Sequence, residues 1–335
     1  MGRNLLDRHA VEFQAPETVS VVEETVECGA EELVIRTDRS AISAGTELLI
    51  YRGEVPGQLS ADPTIDALDG DLSYPLRYGY AGVGEVLAQG ASVEGPWEGR
   101  RVFSFHPHAS HMIASPDAVM PIPDDVDYER ASMLPSVETA VAIVQDARPE
   151  VGARVLIFGA GVIGMLTSML LAAMPLMDVV IVDPSADRRA AAGATAGVTA
   201  VHPDATADMD ASFDLGVELS GDPRALDQCI GCMQYDADVV VGSWYGNKDA
   251  HLDLGAHYHR NHITVRSSQV SRVPPGLRGR WSKERRLQTA MQAIRDLPVG
   301  SLITHRIQLD DVADAYARLA DGDTTMLQVL LTYDT

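Results

Sequence analysis

The run ARVLIFGAGVIGMLTSMLLAAM at 153–174, followed by DVVIVD at 178–183, decides the fold. ARVLIFG is an apolar run of strand length that ends in glycine. VIGMLTSMLLAAM (162–174) has the length and composition of a buried helix, and Pro175 stops it. DVVIVD reads as a second strand, and ADRRAAAGATAG (186–197) as a helix after it. Further strands are expected at VTAVH (198–202), FDLGVEL (213–219), ADVVVGS (237–243) and ITVRSS (263–268). Strands alternating with helices over roughly 120 residues predict an α/β, doubly wound parallel sheet.

At the first turn of this unit, Gly159, Gly161 and Gly164 form a GxGxxG run. Such a run is weak evidence alone. Here it leaves a strand, opens a helix, and is followed 19 residues after Gly164 by an acid, Asp183, that closes the next strand. That context points to a dinucleotide site. Gly159 permits the tight turn, Gly161 lets backbone approach a pyrophosphate, and Gly164 lets helix and strand pack closely. The free N–H groups of Val162 and Ile163 face the phosphates from the positive end of the helix. Asp183 is expected to accept from both ribose hydroxyls and to repel a 2′-phosphate, which favours NAD. Arg188 and Arg189 could cap or solvate the next helix. Arg188 could also lie along the ribose, so NADP stays open. The strand ends at Ser220-Gly221, Ser243-Trp244-Tyr245-Gly246 and Ser267-Ser268-Gln269 should line the cofactor, because ligands of open α/β sheets bind there. Trp244 and Tyr245 are read either as a wall for nicotinamide or as packing.

The flanks differ. Residues 1–125 hold short β patterns broken by Gly and Pro: ETVSVVEETV (17–26), EELVIRTDRSAI (31–42), YAGVGEVLAQG (80–90) and RVFSFHPHASHMIA (101–114). A barrel-like β-rich domain is expected there. Beyond residue 268 come a basic loop, a helix (KERRLQTAMQAIRDL), ITHRIQL, a helix (DDVADAYARLAD) and a last strand, QVLLTY.

These pieces together resemble the medium-chain dehydrogenase/reductase family over nearly the whole chain. The likeness rests on AGTELLIYRG (44–53), PLRYGYAGVG (75–84), GRRV (99–102) and the ending ITHRIQLDDVADAYARL. It implies a Rossmann domain at 131–267 inserted in a GroES-like domain, built from 1–130 and a return segment at 268–335. It also implies a nicotinamide-dependent oxidoreductase. The family's catalytic zinc ligands do not match. CG(S/T)D becomes Ala44-Gly45-Thr46-Glu47, and GHE becomes Gly79-Tyr80-Ala81. Pro135 stands where zinc members often carry an acid, with Glu138 displaced. Two of three ligand types are gone, so no zinc is expected. The four-cysteine zinc lobe is replaced by His106-Pro107-His108-Ala109-Ser110-His111. His106 and His108 are read on one side of a strand, where they could bind a metal, act as proton donors, or serve as plain polar residues.

Without zinc, Thr46 occupies the family's proton-relay position, and Tyr80 replaces a ligand facing the same cleft. Either hydroxyl could bond a developing alkoxide. Tyr80 could equally fill the vacated space, and Glu47 is read as structural. Thr46, Tyr80 and His106 are thus the catalytic candidates. AGTE and GYAGVGEV look closest to the bacteriochlorophyllide hydroxyethyl dehydrogenase branch. That implies a secondary alcohol or ketone on a ring-bearing substrate such as a tetrapyrrole or pterin. The rival readings are an NADPH-dependent quinone or enone reductase and an inactive NAD-binding protein.

Composition bounds the rest. Forty-eight acids oppose 26 bases, for a net charge of −22, and only Lys248 and Lys283 are lysines. That sign disfavours nucleic acid. A dispersed acidic surface poor in lysine resembles the proteins of salt-accumulating halophiles, where screening shortens to about 3 Å at 1 M salt. The expectations are a cytoplasmic homodimer or homotetramer, with no membrane partner, acting on a small molecule. Cys28, Cys229 and Cys232 exclude a disulfide framework, and the Cys229/Cys232 pair reads as buried helix residues. One anomaly stands out. From Arg272 to Arg286 there are six bases and one acid, Glu284. These arginines either hold an anionic substrate or form interdomain or intersubunit ion pairs.

Overall fold

In a computed structural model, which describes residues 4–56, 59–65, 67–68, 70–209 and 211–333, the chain divides into two units. One is Met1–Pro135 with Pro298–Thr335, and the other is Ser136–Leu297.

The first unit opens with a hairpin of β1 (Asn4–Ala15) and β2 (Thr18–Cys28), paired antiparallel. The charges in the opening residues conceal this strand in the sequence. They are interleaved with Leu6, Ala10, Val11 and Phe13 without strict alternation, although Ala10, Val11 and Phe13 are buried. Then follow β3 (Leu33–Ala41), α1 (Ala44–Tyr51), β4 (Gly82–Gln89), β5 (Arg101–Ser104), β6 (His111–Ala114), β7 (Val119–Pro121) and α2 (Tyr128–Ser132).

The second unit begins in α3 (Leu134–Ala147) and runs through β8 (Arg154–Phe158), α4 (Val162–Ala172), β9 (Asp178–Val182), α5 (Ala186–Gly193) and β10 (Thr199–Val201). It continues with β11 (Phe213–Glu218), α6 (Pro223–Gly231), β12 (Met233–Val241), β13 (Thr264–Ser267) and α7 (Lys283–Asp296). Its six strands are all parallel, in the order β10-β9-β8-β11-β12-β13. This is the doubly wound order with a switch point between β8 and β11. Val155, Leu156, Ile157 and Phe158 are all buried, because helices cover both faces of a parallel sheet. Cys229 and Cys232 are buried in the same core.

The chain then returns to the first unit as β14 (Ile303–Gln308), α8 (Val312–Ala320) and β15 (Gln328–Thr332). Here the boundary departs from the sequence expectation. It falls at 297/298 and not at 267/268, so residues 268–297 belong with the dinucleotide-type sheet. The reason is α7. Its fully buried Arg286 donates from Nε to Glu138 Oε1 on α3 at 3.0 Å and to the Val270 carbonyl. Lys283 Nζ lies 3.1 Å from the same carboxylate.

In the first unit β15 pairs with β3, giving a seven-stranded sheet in the order β14-β15-β3-β4-β5-β7, with β6 on β3. Tyr316 of α8 is wholly buried against Phe13 (edge-on, 5.1 Å) and Tyr51 (stacked, 5.7 Å). Such ring pairs add about 0.5–1.5 kcal/mol beyond area burial.

Candidate active site

Two clusters carry chemistry, one in each unit. In the second unit the turn after β8 is built as the glycine spacing demands. Gly159 has φ +98°, and a Cβ there would lie 2.6 Å from the Leu219 carbonyl oxygen. A Cβ at Gly164 would lie 1.8 Å from the Gly159 oxygen, so α4 can start this close to the turn only without a side chain. Gly161, the residue before α4, has open space beside it. The N–H groups of Val162 and Ile163 are the first of the helix and have no helical carbonyl to bond. A diphosphate fits this donor set.

Asp183 is buried, and its carboxylate is already engaged. Oδ2 accepts the Ala160 N–H and Oδ1 the Ser185 N–H, each at 2.8 Å. The acid therefore ties the glycine turn to the start of α5, and ribose hydroxyls would have to use its remaining lone pairs. Ser185 caps α5, accepting from Arg188 N at 3.3 Å. Arg189 donates to the Asp183 and Pro184 carbonyls, a capping role. Arg188 Nε is buried without a partner.

The serines at the strand ends are also engaged. Ser220 donates its hydroxyl to Glu218, Ser243 Oγ accepts the Gly221 N–H at 2.9 Å, and Ser268 donates to Asp146 Oδ2 at 2.6 Å. The organising residue, which sequence reasoning missed, is Glu218. It is wholly buried at the end of β11, accepting the Ser220 N–H at 2.7 Å and the Tyr245 hydroxyl at 2.5 Å. Burial, with the bond to Glu218, holds the Tyr245 pKa well above its ordinary value. Trp244 is exposed. The available signal was an acid inside the apolar run FDLGVEL, which a buried strand tolerates only with partners.

In the first unit Ala44, Thr46 and Glu47 lie on α1, with Ser43 preceding it. Ser43 makes no side-chain cap, and its oxygen accepts the Tyr80 hydroxyl. Thr46 is the second hydrogen-bond partner of Tyr80, and burial raises the Tyr80 pKa. Thr46 and Tyr80, read separately in the sequence, thus form one cluster with Ser43.

Behind it Glu47 is wholly buried. Oε1 accepts the Ser43 N–H at 2.7 Å, and Oε2 accepts His108 Nε2–H at 3.1 Å and the Tyr316 hydroxyl. His108 Nδ1 meets Ser40 Oγ at 2.7 Å, and Ser40 meets the Tyr333 hydroxyl at 2.6 Å. One consistent proton arrangement runs Tyr333 to Ser40 to His108 to Glu47, so every member is satisfied. Gly79 is required beside it, with φ +119° and only 2.7 Å between a Cβ and the His108 ring.

The histidines correct one expectation. His106 and His108 lie in the loop between β5 and β6, not on a strand, because Pro107 interrupts the pairing and His108 bonds the Tyr78 carbonyl and the Val11 N–H. His106 is buried with Nδ1 at 2.8 Å from the Pro107 carbonyl, and burial lowers its pKa to about 4. It is neutral near pH 7, which removes the charge an imidazolium acid would use. His111 sits on β6 beside Ser110. Among the described residues no group of three His, Cys, Asp or Glu side chains could hold a metal. With alanine at 44 and tyrosine at 80, the donor set does not fit the family's zinc.

No family model matches the chain. It is 25% identical over 335 residues to L-threonine 3-dehydrogenase of Stenotrophomonas maltophilia, covering 88% of this chain and 90% of that protein. It is 26% identical over 337 residues to the enzyme of the same name from Xanthomonas oryzae pv. oryzae, with the same coverage. The chain is thus similar, over most of its length, to dehydrogenases of the zinc-type, medium-chain kind. The fold agrees. 2R,3R-butanediol dehydrogenase from Bacillus subtilis superposes with a TM-score of 0.80 at 18% identity, over 98% of this chain and 100% of that one. L-idonate 5-dehydrogenase from Escherichia coli K-12 gives 0.79 at 18% identity, over 99% and 100%. Where the resemblance leads one to expect a thiolate and an imidazole, this chain has Ala44 and Tyr80, and the Tyr80 hydroxyl meets that of the neighbouring Ser43.

Proposed function

We propose that the chain is a zinc-independent, NAD-dependent oxidoreductase that interconverts a secondary alcohol and its ketone. The observation that carries this reading is the hydroxyl cluster that Tyr80, standing at one of the expected metal-ligand positions, forms with Ser43 and Thr46. The relatives' names, dehydrogenases of L-threonine, butanediol and L-idonate, support an alcohol as substrate.

When bound, the dinucleotide supplies or accepts the hydride at its nicotinamide ring. The turn at 159–164 binds the diphosphate through the N–H groups of Val162 and Ile163. Asp183 rigidifies that turn and opposes a 2′-phosphate, which supports NAD over NADP. Tyr80, kept protonated by burial, turns its one O–H from Ser43 to the substrate oxygen as that oxygen becomes alkoxide-like, and the Ser43 and Thr46 hydroxyls then donate to the phenol oxygen. Glu47, itself bonded by His108, holds the Ser43 N–H from behind.

The substrate is further proposed as ring-bearing, on the resemblance of AGTE and GYAGVGEV. The anionic alternative loses two of its six bases, since Arg286 and Lys283 are held by Glu138. The proposal includes a salt-rich cytoplasmic setting and a homodimer or homotetramer. No described helix is long and apolar enough to cross a membrane.

The test is steady-state reduction of NAD and of NADP by a panel of secondary alcohols, with quinones and enones run in reverse, before and after exhaustive chelation. Chelator-resistant turnover of alcohols with NAD is expected. Activity that disappears with the chelator and returns with zinc overturns the zinc-independent part. Tight NADH binding without turnover of any carbonyl overturns the enzymatic part.

A further inference from the structure

The second unit contains a cavity of about 430 Å³ lined by Gln145, Arg148, Met174, Gly276, Arg280 and Trp281, among others. It is separate from the dinucleotide turn. Met174 lies just past the C-terminal end of α4, about 16 Å along an 11-residue helix from the N–H groups that face the diphosphate.

Three observations make it a site for an anion. First, Arg148 directly follows α3 at φ +50°, with its N–H on the Val144 carbonyl. Glycine takes this left-handed position without strain and arginine does not. The guanidinium reaches over Gly276, where a Cβ would come within 2.9 Å of Nη2.

Second, among the described residues no carboxylate lies within 4.0 Å of the Arg148 or Arg280 guanidinium. In the same chain, Arg8, Arg77, Arg154 and Arg306 each hold one. Both arginines are solvent-exposed and line the same cavity, and two cations without a carboxylate partner in a protein of net charge −22 leave a local positive potential that attracts an anion. Third, Gln145 Oε1 is buried with no hydrogen-bond partner, an omission that a native structure usually makes good with a ligand or water. Trp281 closes one side, its ring held by Arg285 at 4.2 Å.

We propose that this cavity binds a small dianion, a phosphate monoester or a dicarboxylate, between the guanidiniums of Arg148 and Arg280. Gln145 Oε1 accepts from a hydroxyl of the ligand or from a water held beside it, and Trp281 walls the site. Arginine suits the task because its fork of N–H donors matches planar and tetrahedral oxyanions. The inference does not depend on the oxidoreductase reading.

Titration calorimetry of the full chain at constant KCl concentration, with inorganic phosphate in one arm and succinate in the other, tests it. One-to-one binding in either arm is expected, and the arm that binds names the ligand class. Affinity should fall at least tenfold in Arg148→Gln and in Arg280→Gln, and stay unchanged in Arg272→Gln. NADH binding should be the same in all four proteins. Absence of binding in both arms overturns the proposal. So does binding that persists in both cavity variants, which would place the anion on the glycine turn.

Discussion

The two clusters of this protein solve the same problem, placing polar groups in a dry interior, with different material. The turn in the second unit is made of backbone: glycines that permit close approach, helix N–H groups, and one carboxylate, Asp183, that pins the Ala160 amide of the turn and the Ser185 amide at the start of α5. The cluster in the first unit is made of side chains from four separate parts of the chain. Ser43 and Glu47 come from the start of α1, Tyr80 from before β4, His108 from a loop, and Tyr316 and Tyr333 from the returning segment. A backbone site tolerates change at most positions and fails at its glycines. A side-chain network fails wherever one member is removed, because each loss leaves another buried group unsatisfied.

Substitutions at each cluster can break that contrast. The largest effect is expected at Tyr80. Tyr80→Phe should lower kcat about 10²–10⁴-fold, the usual worth of a positioned acid, while leaving NADH affinity intact. Loss of NADH affinity in parallel would mean that Tyr80 only shapes the fold. Next, Glu138→Ala strands the buried Arg286 guanidinium and should cost about 3–5 kcal/mol in urea unfolding. Arg286→Met paired with Glu138→Leu should recover most of it. Glu47→Ala leaves Tyr316, His108 and the Ser43 N–H without their acceptor. A loss of about 2–4 kcal/mol with raised KM is expected from unsatisfied buried donors.

His106 sharpens the comparison through pH. Its pKa is about 4 in the folded chain and near 6.5 when unfolded. The unfolded state therefore binds more protons between those values. Its contribution to stability is complete above pH 6.5 and is lost as pH falls through 4. The difference amounts to ~3 kcal/mol, and acid titration of Tm in His106→Gln should be flatter over that window. The smallest effect is expected from salt. Raising KCl from 0.1 M to 1 M shortens the Debye length from about 10 Å to about 3 Å. That should raise Tm by a few degrees, and a fall would count against a halophilic surface.

Much of the second unit was legible in the sequence. Each of the six parallel strands follows an apolar run, and the glycine spacing placed the turn before any coordinates did. The reason is that parallel strands are buried on both faces and phosphate turns are local, so each leaves a contiguous signal. Less of the first unit was legible. The hairpin strand at Asn4–Ala15 was hidden by its charges, α7 was assigned to the wrong unit, and His106 and His108 were read on a strand that Pro107 prevents.

By itself, the sequence determined the fold class and the place of the glycine-rich turn after β8. These depend on residue type and on spacing along the chain. Only the tertiary structure decided what Glu47, Glu218, His108 and Arg286 do. The partners of these groups lie between 2 and 269 residues away, and the cost of burying a charge is met by contacts that no local pattern records.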